Sequence, residues 1–284
     1  MTRGVFVLTV AAVAVAPRAR AQSGHGPVYG LATPTLAKGD WSLEMAAMSR
    51  FAGDKSRTMF RPMIEYGITE DLQVSYSMPM PVYVEQGVAA PVRTVARMTA
   101  TPDVEFTIGW RFHRQGNDVG SRLESTAYLG FLYPTDAVRA GIRTTPGVYL
   151  AAATGYASRS IYAWVGGLYQ RYMSPVGQTA DHLGDLAMYS LVVGYRPPFF
   201  RHDFPRPDWR LFVEAVGEYV ASDELAGQVV SNTGGHRIFV GPTLLGLYGG
   251  WGISGGPMFP VYLDLNGSQD RDRVRLVVNV STWF

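Results

Sequence analysis

Downstream of residue 40, apolar and polar side chains alternate with a period of two. In the stretch 104–112, Val104, Phe106, Ile108, Trp110 and Phe112 fall on one side, and Glu105, Thr107, Gly109 and Arg111 fall on the other. A strand separates the two sets, whereas a helix would scatter both around its circumference. Leu72, Val74, Tyr76 and Met78 oppose Gln73, Ser75 and Ser77 in the same way. So do Trp209, Leu211, Val213, Ala215 and Tyr219 against Arg210, Glu214 and Glu218. The pattern predicts strands near 41–50, 58–67, 71–79, 101–112, 121–133, 146–157, 160–172, 185–196, 209–220, 236–245, 250–259 and 272–284. Each is near the length that crosses a bilayer at a tilt.

The connections carry a second rhythm. Gly67–Asp71, Ala157–Ser160 and Gly246–Gly250 are short and even-numbered. Met80–Ala100, Pro134–Thr145, Met173–Gly184, Ala221–Gly235 and Pro260–Arg271 are longer and odd-numbered. Short periplasmic turns and long external loops produce this order in an outer-membrane barrel. Two connections depart from it. Phe51–Arg57 is short for an outer loop, and Pro197–Asp208 is long and proline-rich for an inner turn.

A soluble β-sandwich would alternate in the same way, and the two chain ends separate the alternatives. Arg3 precedes an apolar run, Val5 to Ala16, and Ala19-Arg20-Ala21 has the small-x-small form of a cleavage site. Residues 1–21 therefore read as a signal peptide, with the mature chain starting at Gln22. The run is too short for a helical membrane anchor. In the last strand, Val274, Leu276, Val278, Val280 and the terminal Phe284 share one face, with Arg275, Asn279 and Ser281 on the other. This ending resembles the sorting signal read by the barrel assembly machinery. Thr282, polar on the apolar face, departs from it mildly. The expected fold is all-β: a transmembrane antiparallel up-and-down β-barrel of about twelve strands over 40–284, in the bacterial outer membrane, with strands closed into a ring because lipid cannot satisfy a free edge.

Composition adds limits. The leader carries Arg3, Arg18 and Arg20 and no acid. Without those three, the 25 basic residues become 22 against 23 acids, which gives no electrostatic reason to bind nucleic acid. There is no cysteine, so disulfides and thiolate metal sites are excluded. His25, His113, His182, His202 and His236 are scattered, and none has a second ligand type at metal spacing. Gly252-Ile253-Ser254-Gly255-Gly256 matches G-x-S-x-G, but it lies in a glycine-rich strand with no helix following, so a nucleophile elbow is not expected. No catalytic, cofactor-binding or metal residue is assigned, and no enzyme activity is expected.

The alternation sends charged residues inward: Glu44, Arg50, Arg61, Glu65, Asp103, Glu105, Arg111, Arg122, Glu124, Arg171, Arg196, Arg210, Glu214, Glu218, Arg237, Arg273 and Arg275. Such charges must be paired or hydrated. They admit two readings, a water-filled pore that selects a solute or an ion-paired network that stiffens the barrel. Arg273 and Arg275 should meet Arg50 near the outer end and make a positive mouth with a mild anion preference.

Residues 22–39 are rich in Gly and Pro, which disfavours a strand. They suit a periplasmic tail or a small plug. His25-Gly26-Pro27, Thr33-Pro34-Thr35 and Lys38-Gly39-Asp40-Trp41, followed by Glu65-Tyr66-Gly67-Ile68-Thr69 and Leu72, resemble the outer-membrane transporter barrels of the meta-pathway phenol-degradation family. The resemblance is clearest over residues 25–79. It implies a barrel that carries small molecules, hydrophobic ones among the candidates, and it brings no catalytic motif. The expected function is a narrow channel or transporter, with outer-membrane lipid, the assembly machinery and a small-molecule solute as partners. The alternative is a structural or adhesive barrel with a blocked lumen and partner-binding loops.

Overall fold

A computed structural model describes residues 26–78, 80–84, 103–117, 120–133, 146–173, 183–202, 206–225 and 227–284. The leader and the cut before Gln22 lie outside the described residues. In chain order the strands are β1 (Trp41–Ala52), β2 (Lys55–Gly67), β3 (Leu72–Ser77), β4 (Met80–Val84), β5 (Val104–Gly116), β6 (Arg122–Tyr133), β7 (Gly147–Ala157), β8 (Ile161–Tyr172), β9 (Leu186–Tyr195), β10 (Asp208–Val220), β11 (Glu224–Leu225), β12 (Gln228–Val229), β13 (Gly235–Tyr248), β14 (Trp251–Leu265) and β15 (Asp272–Trp283).

Each long strand pairs antiparallel with the next, and β1 pairs with both β2 and β15, so the sheet closes on itself. β3 and β4 lie end to end along β2, with Ser77 opposite Met63 and Met80 opposite Phe60, and act as one interrupted strand. The ring therefore has twelve strands. β11 and β12 form a separate two-stranded ribbon in an outer connection, which the periodicity did not anticipate. Among the described residues, the two discordant connections hold no further strand. Ala52 pairs directly with Lys55 in a tight turn where Gly53 takes φ 58°, and the stretch after Pro197 holds a short 3-10 turn, Pro198–Phe200.

The two faces of the ring differ as lipid requires. Val213 is 58% exposed while its neighbour Glu214 is 0% exposed. A soluble protein orders these residue types the other way, so the solvent around the ring is hydrocarbon. Phe106, Trp110, Leu191, Val193, Leu276, Val278 and Val280 also face outward, and Glu105, Thr107, Arg111, Glu124 and Arg275 face inward. Exposed aromatics flank the band. Trp41, Trp110, Tyr156, Tyr195, Tyr248 and Trp251 lie at the end with the short turns, and Tyr133, Tyr169, Tyr219 and Tyr262 lie at the other. Amphipathic rings suit the headgroup level. Phe284 sits at the seam: Trp41 N–H donates to its carbonyl at 2.8 Å, and its own N–H donates to the Trp41 carbonyl at 3.1 Å.

Two inward assignments are corrected. Arg273 does not face the lumen: Phe51 pairs with Val274 and Ala52 with Asp272, so Arg273 is the extra residue of a β-bulge. A bulge resets the alternation. Asp272 is buried in its place, and Arg273 is exposed with Nη1 on the Gly53 carbonyl at 3.2 Å. Arg171 is exposed between Gln170 and Tyr172, which are both buried, and so faces outward.

Candidate functional site: the lumen

Residues 26–37 run inside the barrel, and Lys38 and Gly39 are exposed in the turn before β1. Pro27 and Pro34 offer no N–H, so this stretch cannot pair along a strand on both edges. Its backbone groups are met instead by inward side chains from around the ring. Val28, Tyr29 and Gly30 donate three successive N–H groups to the Glu214 carboxylate of β10, at 2.8, 2.8 and 2.7 Å, and the Thr243 hydroxyl donates to the same carboxylate. Leu31 N–H donates to Ser190 Oγ at 3.1 Å. The Tyr128 and Thr126 hydroxyls donate to the carbonyls of Ala32 and Thr33, both at 2.6 Å. Trp164 Nε1 donates to Thr33 Oγ1 at 3.2 Å, and Leu36 N–H to Gln73 Oε1 at 2.9 Å. Val28, Thr33, Thr35 and Leu36 are each only 1% exposed.

Two glycines make room for the segment. A Cβ at Gly67 would lie 2.0 Å from the Ala37 carbonyl oxygen, and one at Gly166 would lie 2.7 Å from Leu31 Cβ. The Tyr29 hydroxyl donates to the carbonyls of Gly256 and Arg275 at 2.7 and 3.3 Å.

The lumen lining is mixed. Tyr149, Leu168, Tyr172, Leu186, Met188, Val216, Val220, Phe239 and Met258 form an apolar cluster against Leu31. Tyr162, Trp164, Val192, Phe212, Leu245 and Leu247 form a second around Ala32. Ion pairs lie beside and between these clusters. Arg61 meets Glu105 at 2.5 Å, and Glu105 also accepts from the Tyr149 and Thr107 hydroxyls at 2.6 and 2.9 Å. Arg111 bridges Glu124 at 3.1 Å and Asp71 at 2.9 Å. Near the short-turn end, Asp208 holds Arg196 and Arg210, with Arg210 over the Tyr162 ring. Glu44 accepts from Asn279 at 3.1 Å, and Glu65 is buried. Near the outer end, Arg50 pairs with Asp272 and Arg275 with Glu218 and Asp272, and Arg237 is the cross-strand neighbour of Glu218.

Sequence reasoning missed the apolar clusters. Their signal lay in β7 and β9, where GVYLAAATGYA and LAMYSLVVGY are apolar on both faces. Such runs mark strands buried on both sides.

The remaining motifs resolve simply. Gly252–Gly256 is continuous strand, with Ser254 opposite Leu245 and Asn279, so no nucleophile elbow exists there. His236 sits among Tyr189, Tyr219 and Tyr262. His113 and His202 are exposed, and His25 and His182 lie outside the described residues. Among the described residues, no group of three acidic or histidine side chains could hold a metal ion.

A closed antiparallel ring with lipid-exposed apolar residues, aromatic bands and a polar seam within defines an outer-membrane β-barrel. Neither a family model nor a curated protein matches the sequence. Among solved structures, the chain is similar to a COG4313 outer membrane channel from Pseudomonas putida F1, with a TM-score of 0.61 at 14% identity over 88% of this chain and 97% of that one. It is also similar to the NanC porin, with a TM-score of 0.51 at 8% identity over 84% of this chain and 98% of that one. The first likeness bears out, at the level of the fold, the resemblance to outer-membrane transporter barrels.

Proposed function

We propose that this barrel is a narrow passive channel of the bacterial outer membrane for small molecules with an apolar body. The carrying observation is a mixed lumen, in which clusters of Leu, Met, Val and aromatic side chains lie beside buried ion pairs. A lumen serving only as a rigid ionic strut has no need of the apolar clusters. A solute with an apolar body gains from them, and the polar groups beside them meet its polar end. Residues 26–37 act as the constriction. The activity is passage and not catalysis, and Phe284 with the alternating strand behind it is the signal for the assembly machinery.

Single-channel conductance and liposome swelling of the full mature chain, beside a variant lacking residues 22–39, test this reading. Wild-type protein should show small conductance steps, and the deletion should enlarge them. The near-complete burial of Val28, Thr33 and Leu36 favours the alternative, a structural barrel blocked at its centre. Silence from both proteins would make that alternative the better reading.

A further inference from the structure

Five charged side chains from four strands gather toward the outer end of the lumen. Arg50 on β1 is the cross-strand partner of Arg275 on β15, and Glu218 on β10 is the partner of Arg237 on β13. Arg275 donates to Glu218 through both terminal nitrogens, at 2.7 and 3.1 Å, and to Asp272 at 2.9 Å. Its guanidinium lies 3.8 Å over the Phe239 ring. Arg50 Nε pairs with the other oxygen of Asp272. Both carboxylates are thus committed to Arg275 and Arg50.

Arg237 is left over. It is 9% exposed, and it donates to a neutral acceptor, Gln269 Oε1, at 3.1 Å. Its Nε is buried with no hydrogen-bond partner among the described residues. Glu214, two inward positions further down β10, is already held by three N–H groups and a hydroxyl. Among the described residues, three guanidinium groups therefore face two carboxylates, with one positive charge in excess. A buried cation with no carboxylate bonded to it is costly, even with Glu218 and Asp272 nearby. An incoming carboxylate would complete it with charge-assisted bonds. Phe239, Met258, Val216, Val220 and Leu186, in the adjoining apolar cluster, would receive the rest of such a molecule.

We propose that Arg237 is the head-group anchor of a solute site, selecting small monoanionic carboxylates with an apolar body. This rests on reading the lumen as a solute path. The test uses the full mature chain, folded in detergent, with benzoate as probe and benzyl alcohol as its uncharged counterpart. Equilibrium binding is compared for wild type, Arg237→Gln and Gln269→Glu. The second variant lies in an outer connection and supplies the missing carboxylate in place, so it does not depend on the barrel tolerating a lost arginine.

Benzoate should bind wild type at least about tenfold more tightly than either variant, a charge-assisted bond being worth that much. Benzyl alcohol should not distinguish the three proteins. Equal benzoate affinity in wild type and folded Gln269→Glu, or no preference of wild type for benzoate over benzyl alcohol, overturns the site. Benzoate binding without conductance leaves the site standing and removes the channel. Conductance without benzoate binding does the reverse.

Discussion

Glu214→Gln should loosen residues 26–37 from the lumen while leaving the barrel closed. The carboxylate accepts from Val28 and Thr243 on one oxygen and from Tyr29 and Gly30 on the other. An amide keeps a single acceptor oxygen. Its best orientation turns that oxygen toward Tyr29 and Gly30 and its NH2 toward Thr243, whose hydroxyl can rotate to accept. Val28 N–H then loses its partner, and the two surviving N–H bonds lose their charge assistance. A hydrogen bond to a charged group contributes about 1.5–3 kcal/mol net of desolvation. Undocking should therefore become roughly 10–100-fold more populated.

The chain has no cysteine, so Ala32→Cys, at a position 5% exposed, gives a single reporter in the segment. A polar maleimide should label it roughly 10–100-fold faster in the Glu214→Gln background, provided reclosing outpaces labelling. Ser190→Ala removes only the neutral bond to Leu31 N–H and should act less, by about 0.5–1.5 kcal/mol. Equal labelling rates in the two backgrounds, with folding intact, would refute the claim that Glu214 clamps the segment.

Val213→Arg, on the lipid face midway along β10, should cost about 2–4 kcal/mol if it lies near the bilayer midplane; an unchanged denaturant midpoint in lipid vesicles would contradict the facing. Deleting Phe284 removes both backbone bonds that tie the chain end to Trp41, and heat-modifiable protein in the outer-membrane fraction should fall; normal levels would make the terminal pattern incidental. N-terminal sequencing of that fraction should begin at Gln22, and material starting at Met1 would end the signal-peptide reading.

The strands were legible because lipid is a uniform solvent. Every outward position faces the same hydrocarbon, so Phe106, Val213 and Val280 repeat one requirement and the period of two is clean. The lumen imposes no such uniformity. Thr107 illustrates the difference. Its polarity marks it as inward, which suggests a tolerant position in a water-filled space. In the folded chain its hydroxyl is bonded to Glu105 and lies 2.6 Å from the Tyr149 hydroxyl, so a large side chain there meets a packed network. Likewise, nothing local to Val28 identifies Glu214 as its partner, since 186 residues separate them. The run of Gly and Pro excluded a strand and left tail and plug equally open.

The outer arginines follow from one inserted residue. Strict alternation from Asn279 back to Arg273 would place Arg275 and Arg273 together inside, and with Arg50 they would make a crowded positive mouth. The bulge at Arg273 turns that side chain out and brings Asp272 in. Arg50 and Arg275 then share a carboxylate instead of repelling across it. What remains of the positive excess moves two strands away, to Arg237, which a reading along β15 alone does not reach. Arg273 is thus the arginine whose exchange for Glu should leave solute discrimination unchanged, because its Nη1 rests on an exposed loop carbonyl. The charge that can meet a solute is fixed by how many carboxylates the fold brings inside, not by how many arginines the sequence aims there.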